Sequence, residues 1–212
     1  MARKPADQSV SRDEIINAAA DVLRENGYDA TTMKDIAGRV NLTAASLYHH
    51  FKNKDFLLLA VLEVGLGAAI SKIETVIQTD SPPPQKLRNM VHAHIEDVTD
   101  NPAVGAAMVF EIKSLMSATT AGRGNGNRSE FIERRDAFFK QRDYFENLFR
   151  TVIKEGVESG DFRAVDTGIM AKTMLGAQNW VGVWYKSGGR LNGHEIARMV
   201  ADTFLLSLQA KN

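Results

Sequence analysis

The sequence predicts an all-α fold in which a three-helix helix-turn-helix head precedes a six-helix body. Apolar residues recur at spacings of three and four along most of the chain, as they do on one face of an α-helix, and no alternating strand pattern of useful length occurs. Capping residues and breaks rich in Gly or Pro divide this pattern into nine segments. We expect the head to comprise residues 1–52 and the body residues 53–212.

The composition is that of an ordinary globular protein. Of the 212 residues, 44% are hydrophobic and 25% are charged, which provides enough apolar material for a sizeable core. Lys and Arg together number 26, as do Asp and Glu, so the formal net charge is zero and any nucleic-acid binding must depend on a local face. The absence of cysteine excludes disulfides, thiolate zinc sites and cysteine nucleophiles.

The N-terminal segment and the apolar runs bear on the compartment. Residues 1–14 lack the apolar core of a secretory signal, and no apolar run is long enough to span a membrane. We therefore expect a cytoplasmic protein without membrane contact. Arg3 and Lys4 lie in a polar segment that we interpret as a frayed tail, with a basic arm that reaches DNA as the alternative.

The first predicted helix has clear boundaries. Ser11 can cap its start, Glu14 completes a capping box, and Gly27 ends it. Its apolar stripe can share a core with the two helices that follow. The expected core of the head consists of Ile15, Ala19, Val22, Leu23, Met33, Ile36, Ala37, Leu47 and Phe51.

Residues 31–51, TTMKDIAGRVNLTAASLYHHF, contain two short helical patterns on either side of a tight break at residues 40–42. Thr32 can cap the first and Thr43 the second. Two short helices joined by a turn of a few residues are typical of a helix-turn-helix, whose second helix can enter the major groove of DNA. This stretch therefore predicts DNA binding.

The body is expected to begin with a long helix. Asn53 can cap it, its apolar residues continue to about Gln78, and the sequence DSPPP at residues 80–84 stops it. Further helices are expected over residues 85–99, 102–115, 129–159, 166–186 and 193–209, with a flexible glycine-rich loop over residues 121–127.

Residues 15–62, IINAAADVLRENGYDATTMKDIAGRVNLTAASLYHHFKNKDFLLLAVL, resemble the N-terminal signature of the TetR (tetracycline-repressor-like) family. The resemblance implies a homodimeric transcriptional repressor whose two heads bind a palindromic operator and move apart when a ligand enters the body. The stretches IKEGVESGDFR and NWVGVWYKSGGRLNGHEIA resemble family members that respond to fatty or aromatic acyl-CoA thioesters. Release from DNA is the commoner family behaviour, and ligand-promoted binding is the alternative.

The second helix of the helix-turn-helix must present base- and phosphate-binding groups on one side. Thr43 and Ser46 can donate or accept hydrogen bonds, and Ala44 can leave room or contact a thymine methyl group. His49 is expected to face DNA while its neighbour His50 packs or caps.

Other candidates would bind phosphate. Tyr48 could be a packed core aromatic, but the resemblance favours a hydroxyl that donates to phosphate. Thr32, Lys34 and Lys54 lie at helix N-termini, which favour anions, although a solvated surface charge is a competing interpretation for each lysine. The predicted DNA-binding set is Thr32, Lys34, Thr43, Ala44, Ser46, Tyr48, His49 and Lys54.

The body is expected to hold a small-molecule effector. Met and Phe side chains on central helices can line an adaptable apolar cavity, although most such residues are plain core. Trp180 and Trp184 share a helix face, which suits a ligand wall or a core or dimer surface about equally. The predicted ligand-binding set is Met108, Phe145, Phe149, Met174, Gln178, Trp180 and Trp184.

An acyl-CoA effector would need cations for its phosphates. The candidates lie in two clusters, and a solvated helix face paired with Glu130 and Glu133 is the competing interpretation for the first. These candidates are Arg134, Arg135, Lys140, Arg142 and residues 186–190.

The last two predicted helices are expected to dimerise the chain. They combine small residues such as Gly176 and Ala177 with more apolar surface than one subunit can bury. We expect a four-helix interface across a two-fold axis.

An enzyme is not expected. The chain lacks the Glu-x-x-His pairs of di-iron helical enzymes, a nucleophile elbow and a phosphate loop that follows a strand, and we predict neither a cofactor nor a metal site. The alternative function is a sensor or adaptor that kept the helix-turn-helix head but does not bind DNA.

Overall fold

The computed structural model describes residues 10–117 and 125–210, and the side chains of these residues except 125–127. It confirms the all-α prediction, since this part of the chain is helical and contains no β-strand beyond one isolated bridge between Phe162 and Gln209. The helices are α1 Arg12–Ala30, α2 Met33–Arg39, α3 Ala44–His50, α4 Lys54–Ile77, α5 Pro83–Asp100, α6 Pro102–Phe110, α7 Ile112–Ser117, α8 Asn125–Ser159, α9 Thr167–Trp184 and α10 Gly193–Leu208.

Ten helices occur in the described residues where nine were predicted, because the single helix expected over residues 102–115 is two. The chain bends at Glu111, between α6 and α7, although the backbone N–H of Glu111 still bonds to the Ala107 carbonyl at 2.9 Å. The Glu111 side chain is buried at this bend, where it bonds to the head. A contact with a residue distant in sequence thus occurs at the bend.

The prediction of a flexible loop over residues 121–127 is wrong for residues 125–127, because these residues form the first turn of α8. Residues 121–124 lie outside the described part of the chain. The first turn of a helix leaves its N–H groups without intrahelical partners and tolerates residues of low helix propensity such as Asn and Gly. The composition of this stretch therefore did not prevent a helix from starting in it.

The predicted helix boundaries in the head are largely confirmed. Ser11 and Glu14 form the capping box of α1, and Gly27 has a φ of 73°, a left-handed conformation that kinks the helix there. Every residue of the predicted head core is buried. The short helices therefore owe their stability to a shared apolar core as well as to their caps.

α4 is the central helix of the fold. It packs against α1, α5, α6 and α8, and residues 56–62 are all buried. By length and composition α4 could cross a membrane, with a mean hydropathy of 2.0 in its most apolar window, so the expectation that no apolar run was long enough is wrong. Since 56% of that window is buried within the fold, core packing accounts for its apolar character.

Candidate DNA-binding face and ligand cavity

Local hydrogen bonds determine the geometry of the helix-turn-helix. The Thr32 hydroxyl accepts the backbone N–H of Asp35 at 3.2 Å, and the Asp35 carboxylate accepts the backbone N–H of Thr32 at 2.8 Å. These bonds to Thr32 lower the pKa of Asp35. Thr43 caps α3 by accepting the N–H of Ser46 at 3.0 Å. Between the helices, Asn41 adopts a left-handed φ of 57°, which asparagine tolerates better than most residues.

α3 is anchored on one side and exposed on the other. Leu47 is fully buried, whereas Tyr48 is 53% exposed, so Tyr48 is not a packed core aromatic. Thr43 and His49 are exposed, and Ala44 and Ser46 are half-buried. His50, expected to pack or cap, is also exposed, because adjacent residues at the end of a seven-residue helix both lie beyond its buried side. Most of α3 is therefore available to a partner.

On α2, Thr32 and Lys34 are exposed, as a phosphate contact requires. The Thr32 hydroxyl also donates to the Asp35 carboxylate at 2.7 Å, so capping already engages it. Lys34 lies in the first turn of α2, where the helix dipole favours an anion. The predicted phosphate contacts of Thr32 and Lys34 are therefore compatible with the structure and stay a prediction.

Lys54 has a different environment from the one predicted. Its ammonium donates to the carbonyls of Tyr28 at 2.6 Å and Thr31 at 2.8 Å, and lies 4.1 Å from the centroid of the Tyr28 ring. Its donors thus point at the C-terminal end of α1, a site that favours a cation. This corrects the predicted phosphate contact: Lys54 holds the start of α4 against the head.

A cavity of about 420 Å³ lies in the body between α4, α5, α6, α8 and α9. Its apolar wall includes Leu66, Val98, Val104, Met108 and Phe145. Asn17 of α1 also lines it, so the cavity reaches the first helix of the head. A ligand here would contact helices of both the head and the body.

The polar residues of the cavity are concentrated on α5, α8 and α9. His94 is buried, and one ring nitrogen, Nε2, lies 2.9 Å from Oδ1 of Asn179. Burial lowers the pKa of His94, which favours the neutral imidazole. Its Nδ1 has no hydrogen-bond partner in the described part of the protein. Arg142, Glu146 and Lys172 also line the cavity, and Lys172 pairs with Glu146.

Only two of the seven predicted ligand-binding residues, Met108 and Phe145, line this cavity. Phe149, Met174 and Gln178 are fully buried behind it: the Phe149 ring centroid lies 5.6 Å from that of Phe145. Gln178 donates to the Met174 carbonyl at 3.1 Å. These three are core residues, because only some of the inward-facing residues of a central helix border the cavity.

Trp180 and Trp184 were also predicted to bind the ligand, but they do not line the cavity because they are exposed. They are 52% and 50% exposed, so they lie on the outer face of α9 and not on the cavity wall. The Trp180 ring meets the exposed Phe110 ring edge to face, with centroids 6.3 Å apart. Of the two uses that the sequence left open, the structure is compatible with an interface.

Two of the predicted phosphate-binding cations are engaged in ion pairs away from the cavity. Arg134 pairs with Glu63 of α4 at 2.5 Å, and Arg135 pairs with Asp136 at 3.0 Å. The competing interpretation, a solvated helix face whose cations pair with acidic residues, therefore fits Arg134 and Arg135. Their partners are Glu63 and Asp136, however, and not Glu130 and Glu133. Of the predicted cations, Arg142 alone lines the cavity among the described residues.

The comparisons with known proteins cover both regions. Residues 15–61 match the family described as bacterial regulatory proteins, tetR family, and residues 80–208 match the family described as tetracyclin repressor-like, C-terminal domain. The chain belongs to the TetR family. It is therefore a transcriptional regulator and not an enzyme, because the family consists of regulators.

Relatives and solved structures of TetR-family proteins match over nearly the whole chain. The transcriptional repressor KstR2 of Mycolicibacterium smegmatis is 28% identical over 196 residues, which cover 92% of this chain and 88% of KstR2. The crystal structure of PfmR from Thermus thermophilus has a TM-score of 0.78 at 29% identity and covers 92% of this chain and 99% of PfmR. AibR, solved in complex with isovaleryl coenzyme A and operator DNA, has a TM-score of 0.72 at 24% identity and covers 93% of this chain and 97% of AibR.

One contact between the two regions of this TetR-family chain was not apparent from the sequence. Glu111, at the bend after α6, accepts the backbone N–H of Tyr28, and the Tyr28 hydroxyl donates to Asp55 at the start of α4. α6 also lines the cavity. A short chain of contacts thus leads from the cavity through α6 to the end of α1.

Proposed function

We propose that this chain is a ligand-responsive, homodimeric transcriptional repressor of the cytoplasm. In this proposal residues 1–52 bind a palindromic operator, residues 53–212 bind the effector and dimerise the chain, and the effector releases the protein from DNA. The observation that carries the proposal is the exposed side of α3, the second helix of the helix-turn-helix. The buried Leu47 and the Thr43 cap fix the position of α3. Family membership and the repressor KstR2 support the same function.

The proposed DNA contacts divide by chemistry. We propose that Tyr48 and Lys34 contact phosphates, because both are exposed and each carries a donor. His49 and Ser46 are proposed to contact base edges in the major groove. The full proposed set is Thr32, Lys34, Thr43, Ala44, Ser46, Tyr48 and His49.

The proposed dimer uses the outer faces of α9 and α10. Ile169 is 67% exposed and shares a face of α9 with Trp180 and Trp184. Met199 and Leu206, seven residues apart on α10, are 53% and 63% exposed. Large exposed apolar side chains on two neighbouring helices suit burial against a second copy in a four-helix interface.

The proposed effector is a small apolar molecule or an acyl-CoA thioester. The cavity of about 420 Å³ lies in the size range of small-molecule sites, and its apolar wall suits an acyl chain. Arg142 supplies a cation for an anionic end, and Lys172 lines the same cavity in an ion pair with Glu146. AibR, which shares the fold, was solved with isovaleryl coenzyme A and operator DNA, and this supports both classes of partner.

The experiment that tests the proposal is a fluorescence-anisotropy titration of the protein against DNA from upstream of its own operon. We expect binding that is specific for sequence, weakened by salt, and reversed by an acyl-CoA from a panel of chain lengths that includes isovaleryl coenzyme A. Scrambled DNA of equal length is the control. Equal binding to both DNAs would contradict a sequence-specific repressor. Binding to neither DNA would favour the sensor or adaptor that does not bind DNA.

A further inference from the structure

Two histidines and a glutamate meet where the start of α10 packs on α5. His92 and Glu96 lie four residues apart on α5, and the Nδ1 atom of His92 is 3.8 Å from Oε1 of Glu96. Nδ1 of His194, in the first turn of α10, is 2.9 Å from the same oxygen. The potential ligand atoms of the three residues all lie within 4.8 Å of one another.

We propose that His92, Glu96 and His194 bind a divalent transition-metal ion such as Zn²⁺. Imidazole nitrogens and carboxylate oxygens bind zinc at about 2.0–2.2 Å, so two ligands of a tetrahedral ion lie roughly 3.4 Å apart. The separations of 2.9 and 3.8 Å from the shared oxygen lie on either side of that value. Side-chain rotations alone could therefore place all three around one ion, with water in the fourth position.

Gly193, the residue before His194, allows α10 to approach α5 closely. A Cβ atom on Gly193 would lie 2.1 Å from Oγ1 of Thr99, one turn beyond Glu96 on α5, so a larger residue would collide there. Asn192 and Glu195 form a capping box that fixes the first turn of α10 around His194. The backbone thus holds His194 beside Glu96 whether or not an ion is bound.

Charge and access permit an ion to bind. The His92, Glu96 and His194 side chains are 20%, 43% and 71% exposed, so an ion can enter from solvent. Arg88, one turn before His92, is the nearby cation that would oppose it, but Arg88 pairs with Asp202 of α10 at 2.5 Å. The carboxylate of Glu96 therefore supplies the negative charge of the site.

A bound ion would connect α5, which lines the cavity, to α10, which belongs to the proposed dimer surface. α5 carries His94 and Asp97 of the cavity wall, and α10 carries Met199 and Leu206 of the proposed dimer surface. Since the ligands come from both helices, the ion would stabilise their packing. The site does not depend on the proposed repressor function, because its residues belong to neither the DNA-binding face nor the cavity.

The test is isothermal titration calorimetry of the untagged full chain with ZnCl₂, together with the visible absorption of Co²⁺, which reports low-coordinate nitrogen and oxygen ligation. We expect one ion per chain. Loss of an outer-shell partner alone weakens metal binding roughly 10–100-fold, so His194→Ala and Glu96→Gln, which remove ligands, should weaken Zn²⁺ binding by at least about tenfold. Gly193→Ala should weaken it while keeping all three ligands.

His50→Ala is the matched control, because His50 is an exposed histidine distant in sequence from the cluster. It should bind Zn²⁺ as the wild type does. His194 is largely exposed, so its removal should leave the metal-free circular dichroism spectrum unchanged. No Zn²⁺ binding by the wild type, or equal binding by the wild type and His194→Ala, would overturn the proposal.

Discussion

The backbone N–H of Tyr28 donates a hydrogen bond of 3.1 Å to the carboxylate of Glu111, although the two residues are 83 positions apart in sequence. Glu111 is only 6% exposed and occupies the bend between α6, which lines the cavity, and α7. Tyr28 lies beside the Gly27 kink of α1 and contacts Lys54 and Asp55 of α4. A displacement of α6 would therefore act on the helices at the base of the head.

Glu111→Ala is expected to weaken this coupling. It leaves the Tyr28 N–H without its acceptor, which should lower the free energy of unfolding by about 1–3 kcal/mol in a urea titration. The ratio of operator affinities without and with effector should fall towards one. Glu133→Ala, an exposed glutamate of α8, is the control and should change neither quantity. An unchanged affinity ratio in Glu111→Ala would exclude Glu111 from the coupling.

Tyr48→Phe tests the proposed phosphate contact. The change removes only a hydroxyl from a half-exposed side chain, so operator binding should weaken by about 0.5–1.5 kcal/mol while the thermal unfolding midpoint stays the same. Tyr144→Phe removes an exposed hydroxyl of α8 that donates to Glu74, and operator affinity should be unaffected. If Tyr48→Phe binds the operator like the wild type, its hydroxyl makes no DNA contact.

Lys54→Met separates a structural role from a phosphate contact. Loss of the ammonium at the C-terminal end of α1 should lower the free energy of unfolding by roughly 1 kcal/mol. The slope of log affinity against log salt concentration should remain that of the wild type. A slope reduced in magnitude by about one would instead show that Lys54 contacts a DNA phosphate.

Met108→Trp should abolish the response to effector without abolishing DNA binding. Met108 lines the cavity and is half-buried, so a larger side chain there occupies ligand space. We expect wild-type operator affinity and no release by any acyl-CoA of the panel. Met116→Trp, at a methionine that is 63% exposed on α7, is the control. Normal release in Met108→Trp would place the effector outside this cavity.

Trp180→Glu should dissociate the proposed dimer. A carboxylate buried in the interface without a partner costs roughly 3–5 kcal/mol, which corresponds to a dissociation constant at least a hundredfold higher. Sedimentation velocity at micromolar concentration should then show monomers. Tyr144→Glu places the same charge on an exposed position of α8 and should leave the dimer intact. A dimeric Trp180→Glu variant would locate the interface elsewhere.

The sequence by itself determined the local structure of this protein. Caps such as Ser11, Thr32 and Thr43 act within three residues, and the apolar residues of the head recur at helical spacing, so both could be predicted without the fold. The helix-turn-helix and its buried side follow from these short-range rules. Helical spacing also identified α9 as a helix with apolar residues on more than one face.

Only the tertiary structure determined which residues each face of a helix contacts. Helical spacing places Met174 and Trp180 on α9, but only the packing of α9 against α5, α6 and α8 buries the first and exposes the second. In the same way, the hydrogen-bond partners of the Lys54 ammonium and of the Glu111 carboxylate lie at least 23 residues away in sequence. Such contacts form only when the helices assemble, because the sequence near a residue specifies its conformation and not its distant neighbours.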